Sequence, residues 1–440
     1  MRLLGRFGVN KNPRDIERAL RRVVACARRE IPYYRHHLNT GPKAVRLDTL
    51  HKLPITTKAD LVSQQDISRI SRPQRIPSRP IIGTSGTTGQ VLFIHMSRSE
   101  ALFRSLSFYR SLRENSRLSW PLAIAELGVA PQLNTKQSSV LQKGHLVRLD
   151  RIPRLLPIEE QAARLIRSAP QLITGQATCL ESVAQYLLLS GQRLQARLVV
   201  SRGEVLSSHA RLLLEQAFDS KVVDYYNCEE VGNVAYECPS DSAKMHVNTD
   251  CCVVEIVNSE GAPLPLGIEG RIVVTNLFNL TMPFIRYDLG DYGTLTSPGG
   301  DLCDCGSRHP AMLPPAGRSD DFFHLANGSV LAPRTVEAHV VPPMLDLLTK
   351  QFPNIIGSPM YQIVQESEQL LRVRIASHFG FQEQLRLRIE SSFRAAGHDV
   401  SVTIETVAAI PRTPSGKSRR IVSQLAHTDR TQISPEKPIL

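Results

Sequence analysis

The stretch PIIGTSGTTGQVLFI, residues 80–94, places a loop of glycine, serine and threonine between two short apolar segments. Glycine permits the left-handed backbone conformations that aim several N–H groups at one anion, and the hydroxyl groups add further donors. No Gly-Lys-Ser/Thr follows, so this is not a Walker loop. Taken alone, the loop is open to two interpretations, a phosphate-binding loop and a flexible connection. Its six central residues are Thr84, Ser85, Gly86, Thr87, Thr88 and Gly89.

On the carboxyl side of this loop, helical and strand-like segments alternate to about residue 225. This alternation is typical of an α/β layer fold. Helical periodicity marks 158–168, 179–190 and 207–217. The strand-like segments between and after these helices are 171–175, 196–202 and 221–226.

From 245 to 300 the pattern changes to strands separated by turns, which predicts a mostly antiparallel β module. The segment 314–321, PPAGRSDD, predicts a linker, because it is polar and holds two prolines and a glycine. We therefore predict an α/β protein with a small, mobile α+β domain after a large multi-layer domain. The predicted bounds are 1–317 for the N-terminal domain with its β module, 318–427 for the C-terminal domain and 428–440 for a tail.

The composition is that of a folded protein, with 42% hydrophobic and 21% charged residues in 440. No apolar stretch suits a signal peptide, and no run approaches the ~18 apolar residues of a spanning helix. We therefore expect a soluble cytoplasmic protein without a membrane partner. Its eight cysteines are then expected to be thiols or metal ligands rather than disulfides.

The net charge of +12 is concentrated near the N-terminus, where residues 1–37 hold ten Lys and Arg against three acids. A basic face of this kind attracts nucleotides or an acidic carrier protein, and it is equally compatible with solvated arginines on a helix. Nucleic acid is not expected as a partner, because the chain has no nucleic-acid motif and only 5% aromatic residues.

Four further segments carry chemically active residues in a set order along the chain. Together with the loop at 84–89, they resemble the adenylate-forming superfamily of acyl-CoA synthetases, adenylation domains and luciferases. The closest resemblance is to phenylacetate–CoA ligases and their relatives in capsule and deazaflavin-coenzyme metabolism, over roughly residues 20–425. The four segments are SRGE (201–204), YYNCEEVG (225–232), PFIRYDLGD (283–291) and PRTPSGK (411–417).

This resemblance implies an ATP site. The loop at 84–89 would hold the β- and γ-phosphates, and Gly203, Glu204 and Tyr226 would line the adenine pocket, with Asn227 beside them. An ionised carboxylate makes strong hydrogen bonds to ribose hydroxyls, the role implied for Asp291.

Three charged residues complete the implied site. Glu230 would hold Mg²⁺, which prefers oxygen ligands. Arg318 would support the nucleotide near the domain junction. Lys417 would reach in from the small domain to bridge the substrate carboxylate and the α-phosphate, where a cation stabilises developing charge. A hinge near Asp320 would then rotate the small domain between the two half-reactions.

The implied activity is adenylation of a carboxylic acid, followed by transfer to a thiol of coenzyme A or of a carrier protein. A second interpretation is a nucleotidyltransferase that leaves AMP on a hydroxyl or phosphate of its substrate. A third is a non-catalytic nucleotide-binding partner, which the retained Lys417, Glu230 and Asp291 disfavour. Some relatives are dimers, so a homodimer is also an open expectation.

A structural zinc site is predicted from four residues. Cys303 and Cys305 form a Cys-x-Cys-Gly pair, and Cys238 lies eight positions before His246. Three thiolates and one imidazole are a usual tetrahedral zinc set. The alternative is four unrelated side chains.

Two departures from the family pattern affect the details. An acid, Glu229, replaces the usual hydroxyl residue before Glu230, and Asn227 replaces glycine, whose positive φ asparagine can also adopt. After the hinge, the arginine of the usual Arg-Gly pair is missing, and Asn327-Gly328 predicts a hairpin turn. The second departure leaves adenylation as the expectation and weakens coenzyme A as the acceptor.

Overall fold

The structure is a computed structural model that describes residues 12–38, 41, 44–64, 66–71, 81–83, 91–116, 118–129, 146–351, 360–376, 380–411, 413 and 419–425. The α-helices are α1 Pro13–Glu30, α2 Pro32–His37, α3 Lys58–Val62, α4 Asp66–Arg69, α5 Arg98–Asn115, α6 Ile158–Ser168, α7 Ala177–Leu189, α8 Ser208–Phe218, α9 Pro333–Gln351 and α10 Gln382–Ala395. The first strands are β1 Ile81–Gly83, β2 Phe93–His95, β3 Leu122–Val129, β4 Val147–Pro153, β5 Leu172–Gly175, β6 Leu198–Arg202, β7 Val222–Cys228, β8 Gly232–Cys238, β9 Asp241–Val247 and β10 Cys252–Val257. The remaining strands are β11 Glu269–Asn276, β12 Tyr287–Ser297, β13 Ala311–Met312, β14 Gly317–Arg318, β15 Phe323–His324, β16 Val330–Leu331, β17 Tyr361–Gln365, β18 Leu370–Ile375, β19 Ser401–Thr406 and β20 Ile421–Ser423.

One large mixed sheet organises residues 122–318. Its strand order is β10-β11-β12-β13-β9-β8-β7-β6-β5-β3-β4, with β14 added alongside β12. Strands β3 to β7 are paired in parallel, whereas β8 turns back antiparallel on β7. The predicted α/β layer and the predicted antiparallel module are therefore both confirmed, and they share a single sheet.

Helices cover both faces of the parallel strands, as the multi-layer prediction requires. Helices α6, α7 and α8 pack on one face through buried aliphatic side chains such as Leu180, Val183 and Leu214. Helix α5 packs on the other face, where Leu112 joins Val200 and Tyr225. Burial on both faces explains why these strands are nearly continuous apolar runs. Because the strands are parallel, their carboxyl ends lie at one edge of the sheet.

The N-terminal segment packs on the β-rich end of the large sheet. Helix α1 ends at Glu30 and Pro32 begins a second helix, because proline cannot continue the hydrogen-bonded turns of the first. The apolar face of α1, including Leu20 and Val23, is buried together with Leu277 and Ile285. The arginines of α1 lie on its solvent side, where Arg18 and Arg21 form ion pairs with acids of the same helix.

The C-terminal region has its own sheet and its own core. Strands β17 to β20 pair in the order β19-β18-β17-β20, and α9 and α10 pack against them around Ile363, Val373 and Phe393. The predicted Asn327-Gly328 turn is confirmed, because Gly328 has φ 82° between the antiparallel strands β15 and β16. The boundary after residue 317 stays a prediction. None of the helices in the described parts of the chain has the length and apolar character needed to cross a bilayer.

Candidate functional site

Three of the predicted nucleotide residues meet beside the carboxyl end of β7. The Tyr226 hydroxyl donates to Asp291 Oδ2 at 2.7 Å, and Arg318 Nε donates to Asp291 Oδ1 at 3.4 Å. Strand β14 pairs with β12 so that Asp291 and Arg318 are register partners, which fixes this contact through the backbone. Burial raises the pKa of the Asp291 carboxyl, while the Arg318 guanidinium and the Tyr226 hydroxyl oppose that rise.

Glu230 lies in the turn between β7 and β8, where it accepts a hydrogen bond from the Tyr287 hydroxyl at 3.2 Å. A third side chain, Lys58, also reaches this region. Burial lowers the pKa of Lys58, the Glu230 carboxylate raises it and the Arg318 guanidinium lowers it, so Lys58 lies within electrostatic reach of both groups. The sequence motifs assigned no role to Lys58, which lies outside the five segments that carry the family resemblance.

Local capping explains how Lys58 is positioned. Thr57 caps α3 through a reciprocal pair of hydrogen bonds with Asp60, at 3.2 and 2.8 Å. Such a cap is worth about 0.5–2 kcal/mol and fixes the first turn of the helix. The preceding residue, Thr56, exchanges backbone hydrogen bonds with Arg286 and Asp288 beside β12, so the helix start is also tied to the strand that carries Asp291.

Gly203 and Glu204 follow β6, but they face different surroundings. Gly203 has φ 75°, and a Cβ there would meet no atom of the described residues within 4 Å. Glu204 turns towards α7, where its carboxylate accepts from the backbone N–H and the hydroxyl of Thr178 at 2.9 and 2.8 Å. The described contact of Glu204 is therefore a cap on the first turn of α7.

Asn227 and Glu229 are the two residues near Glu230 that depart from the family pattern. Asn227 continues β7 in extended backbone and is not among the described residues of positive φ. Glu229 forms an ion pair with Arg104 of α5 at 2.9 Å. This pairing offsets the additional negative charge that the sequence places beside Glu230.

The phosphate loop 84–89 and Lys417 lie outside the described residues, so the structure gives their roles no test. Residues 419–425, which follow shortly after the lysine in the sequence, are described. Arg420 Nη2 contacts both carboxylate oxygens of Glu181 on α7 at 2.6 and 2.5 Å, and its guanidinium lies 5.2 Å from the centre of the Tyr361 ring. Arg419 pairs with Asp321 next to the predicted hinge.

The predicted zinc ligands come together. One ligand atom from each of Cys238, His246, Cys303 and Cys305 lies within 4.8 Å of the other three. The two sulfur atoms of Cys238 and Cys303 are 3.8 Å apart, and His246 Nε2 lies 3.2 Å from Cys305 Sγ. A tetrahedron with Zn–S bonds of about 2.3 Å has sulfur atoms about 3.8 Å apart, so the cluster fits a zinc ion.

Known proteins share this architecture over most of the chain. The phenylacetate-coenzyme A ligase of Thermus thermophilus is 25% identical, over 92% of this chain and 95% of its own. The phenylacetate-coenzyme A ligase of Escherichia coli is 26% identical, over 91% and 92%. The chain is thus similar to phenylacetate-coenzyme A ligases over nearly its whole length.

Residues 336–424 match the family model described as the CapK C-terminal domain. A crystal structure of 2-hydroxyisobutyryl-CoA ligase in the postadenylation state, in complex with 2-HIB-AMP, aligns with a TM-score of 0.73 at 20% identity. That alignment covers 94% of this chain and 89% of the other, which confirms the predicted fold. The CapK match falls in the small domain, where the sequence departs from the CoA-ligase pattern.

Proposed function

We propose that this adenylate-forming ligase couples AMP to a carboxylic acid and then passes the acyl group to a thiol. A carboxylate oxygen attacks the α-phosphorus of Mg·ATP, a new O–P bond forms and the bond to pyrophosphate breaks. The thiol sulfur then attacks the acyl carbon, and AMP leaves. The observation that carries the proposal is the contact of Tyr226, Asp291 and Arg318 at 2.7 and 3.4 Å.

The residues of the candidate site each have a proposed role in this reaction. Asp291, held by Tyr226 and Arg318, accepts hydrogen bonds from the ribose hydroxyls of ATP. Glu230 supplies a carboxylate oxygen for Mg²⁺, which neutralises phosphate charge when bound, and Tyr287 orients that carboxylate. Lys58 adds a cation near the phosphates. The loop at 84–89 and Lys417 act on the phosphates and the reacting carboxylate as the family pattern implies.

Coenzyme A is the first candidate for the acceptor, because two relatives similar over most of the chain bear the name phenylacetate-coenzyme A ligase. The CapK-type small domain favours a second candidate, in which another group receives the acyl chain or AMP stays on the substrate. A carrier protein, a homodimeric state and a cytoplasmic location also belong to the proposal. Product mass separates the candidates, since AMP is released in thioester formation and retained in nucleotidyl transfer.

The direct test is ATP–pyrophosphate exchange with a panel of carboxylic acids, followed by mass analysis of products formed with coenzyme A. Exchange that depends on one acid supports adenylation. If ATP binds but no acid supports exchange, the proposal fails and a nucleotide-binding partner becomes the better account.

Asp291→Asn is expected to raise the KM for ATP in this assay by about 10- to 100-fold, because loss of the charge weakens hydrogen bonds to ribose. The change also leaves Arg318 without its ionised partner. Asp288→Asn is the matched control. It removes a similarly buried carboxylate three residues away, where Asp288 pairs with Arg271 at 2.9 Å outside the site. Equal effects of the two variants would remove Asp291 from the nucleotide site.

The Arg420–Glu181 pair is proposed to hold the Lys417 segment against α7 during adenylation. Both side chains are only 12% exposed, so the contact is well shielded from solvent. Close charge pairs between packed surfaces have coupling energies of about 1.5–7 kcal/mol. Arg420→Met is therefore expected to lower acid-dependent exchange by roughly 10- to 100-fold, and to leave thioester formation from preformed acyl-adenylate intact.

Recovery in a charge-swapped variant distinguishes docking from a folding defect. Arg420→Glu with Glu181→Arg is expected to regain at least part of the exchange that each single change removes. Arg388→Met, which breaks an exposed pair with Asp346 inside the small domain, is the control and leaves exchange unchanged. If Arg420→Met slows both half-reactions alike, the pair has no specific role in adenylation.

The four-residue cluster is proposed to bind a structural zinc ion. Its donor set of three thiols and one imidazole is the set that zinc prefers in structural sites. The ion, when bound, joins the end of β8 and β9 to the segment that carries Cys303 and Cys305.

A further inference from the structure

A second charged cluster lies at the carboxyl ends of the parallel strands. Arg202 at the end of β6 and Arg151 on β4 both donate to Glu126 on β3, Arg151 at 3.2 Å to Oε2 and Arg202 to Oε1. Arg202 Nε also donates to the Thr174 hydroxyl on β5 at 3.1 Å. Four adjacent strands therefore contribute to one group, which we call the Glu126 cluster: Glu126, Arg151, Thr174 and Arg202.

Register places the whole cluster on one face of the sheet. Glu126 is the direct partner of Arg151 and of Thr174. Arg202 is the partner of Tyr225, the residue before Tyr226. In open α/β sheets, ligands bind outside the carboxyl ends of the strands. The cluster therefore lies towards the ligand-binding edge, where Arg202 directly precedes Gly203 and is paired with the residue before Tyr226.

The cluster is charged and keeps unused donors. The guanidinium groups of Arg202 and Arg151 outweigh the effect of burial and hold the pKa of Glu126 below its usual value, so two cations face one anion. No described residue takes Nη1 of Arg202 or the two terminal nitrogens of Arg151, and none of these atoms is buried. Side chains of Arg151, Glu126 and Arg202 remain 34%, 22% and 32% exposed.

We propose that the Glu126 cluster forms the far wall of the acid pocket and selects a carboxylic acid that bears a second anionic group. This inference rests on the proposed adenylation. The surplus positive charge and the spare, planar guanidinium donors suit a carboxylate or phosphate oxygen. An unsubstituted aryl or alkyl chain would displace the water bound to these guanidinium groups without offering hydrogen bonds in its place, and this desolvation costs binding free energy. Tyr109 of α5 faces the same charges and supplies an aromatic wall.

The test compares acids in matched pairs that differ only at the end remote from the activated carboxylate. Hexanoate is set against adipate, and 4-methylbenzoate against terephthalate, in ATP–pyrophosphate exchange. The intact protein is expected to favour the dianionic member of at least one pair by about 10²-fold in kcat/KM, since sites built for polar groups reject analogues that lack them.

Arg202→Met is expected to reduce that preference by about 10²-fold. The change should come mainly from a lower kcat/KM for the dianionic acid, and the KM for ATP should stay unchanged. Arg164→Met is the matched control, because Arg164 pairs with Asp150 on β4 at 2.5 Å, with exposures of 37% and 25%, outside the cluster. It is expected to leave the preference unchanged.

Two failures are distinguishable. Absence of exchange with every acid, in a protein that binds ATP, contradicts the adenylation proposal itself. Exchange that is equal for both members of each pair, or a preference that Arg202→Met does not alter, overturns the Glu126 cluster as a selector and leaves adenylation in place.

Discussion

Replacement of Lys417 by alanine is expected to reduce acid-dependent ATP–pyrophosphate exchange by about 10²–10³-fold, the usual cost of removing one donor that stabilises a developing oxyanion. The substrate carboxylate and the α-phosphate are both negative, and they repel each other as the new O–P bond forms. A lysine ammonium group between them compensates this charge at the moment of reaction. Its loss therefore lowers kcat for adenylation more than it changes the KM for ATP.

The second half-reaction should respond differently. Thioester formation from a preformed acyl-adenylate is expected to be near normal in Lys417→Ala, because the α-phosphate bond to the acid already exists. Lys350→Ala is the control, since Lys350 is an exposed lysine of the same domain that pairs with Asp346 at 2.8 Å. It should leave both half-reactions unchanged. Equal loss of the two half-reactions in Lys417→Ala would contradict a specific role in adenylation.

The structure supports this prediction through neighbours of the lysine. Arg419 and Arg420 follow within three residues and pair with Asp321 and Glu181, respectively. Strand β20, which these arginines precede, is held in parallel on β17. Residues 419–423 are thus held by β17, Asp321 and Glu181, and we expect this anchoring to favour delivery of the Lys417 side chain to the reacting groups.

Local sequence patterns predicted several of the strands of the large sheet and the helices beside them. The apolar segment at 221–226 is β7, and the helix predicted over 158–168 has those bounds. These predictions are correct because a single strand or helix is determined largely by hydrophobic periodicity and turn residues within a few positions of sequence. The single sheet that joins the parallel strands to the antiparallel module could not be predicted in this way. It depends on long-range pairing, such as Ala311 with His246, that leaves no local signal.

In the candidate site, too, local motifs predicted some residues, whereas contacts between residues distant in sequence could not be predicted. Ordered motifs indicated Tyr226, Asp291 and Arg318, and the structure brings these three together. Motif reasoning did not reveal that the Glu204 carboxylate caps α7, because Thr178 is 26 residues away in sequence. The Glu126 cluster was missed for a similar reason. Its residues come from four strands, and each is unremarkable as a single charged or polar residue in the sequence.

The proposed zinc ligands lie far from the proposed nucleotide site, so their effect on stability can be separated from catalysis. Cys238 ends β8, whereas Gly232, two residues after Glu230, begins it. Six residues of extended strand span about 20 Å, so the cluster lies at the opposite edge of the sheet from the proposed nucleotide site. We therefore expect a zinc ion to stabilise the fold without contact with ATP or the acid.

Cys303→Ser with Cys305→Ser is accordingly expected to abolish bound zinc and to lower Tm by about 5–10 °C, because a few kcal/mol of metal-linked stability is lost. Elemental analysis of the purified protein should find close to one zinc per chain before the change and none after it. A chelator should lower the Tm of the unmodified protein towards that of the variant and leave the variant unaffected.

Cys179→Ser is the control for these cysteine substitutions, since Cys179 lies on α7 outside the cluster, and it should retain the metal. Below its lowered Tm, the double variant should keep acid-dependent exchange within about twofold of normal, because a closed site with four protein ligands offers zinc no open position for substrate. Zinc loss that abolishes exchange in a folded protein would instead couple the metal to catalysis. An unmodified protein without zinc, whose Tm does not respond to added zinc or to chelator, would leave the four residues as an ordinary cluster of thiols and imidazole.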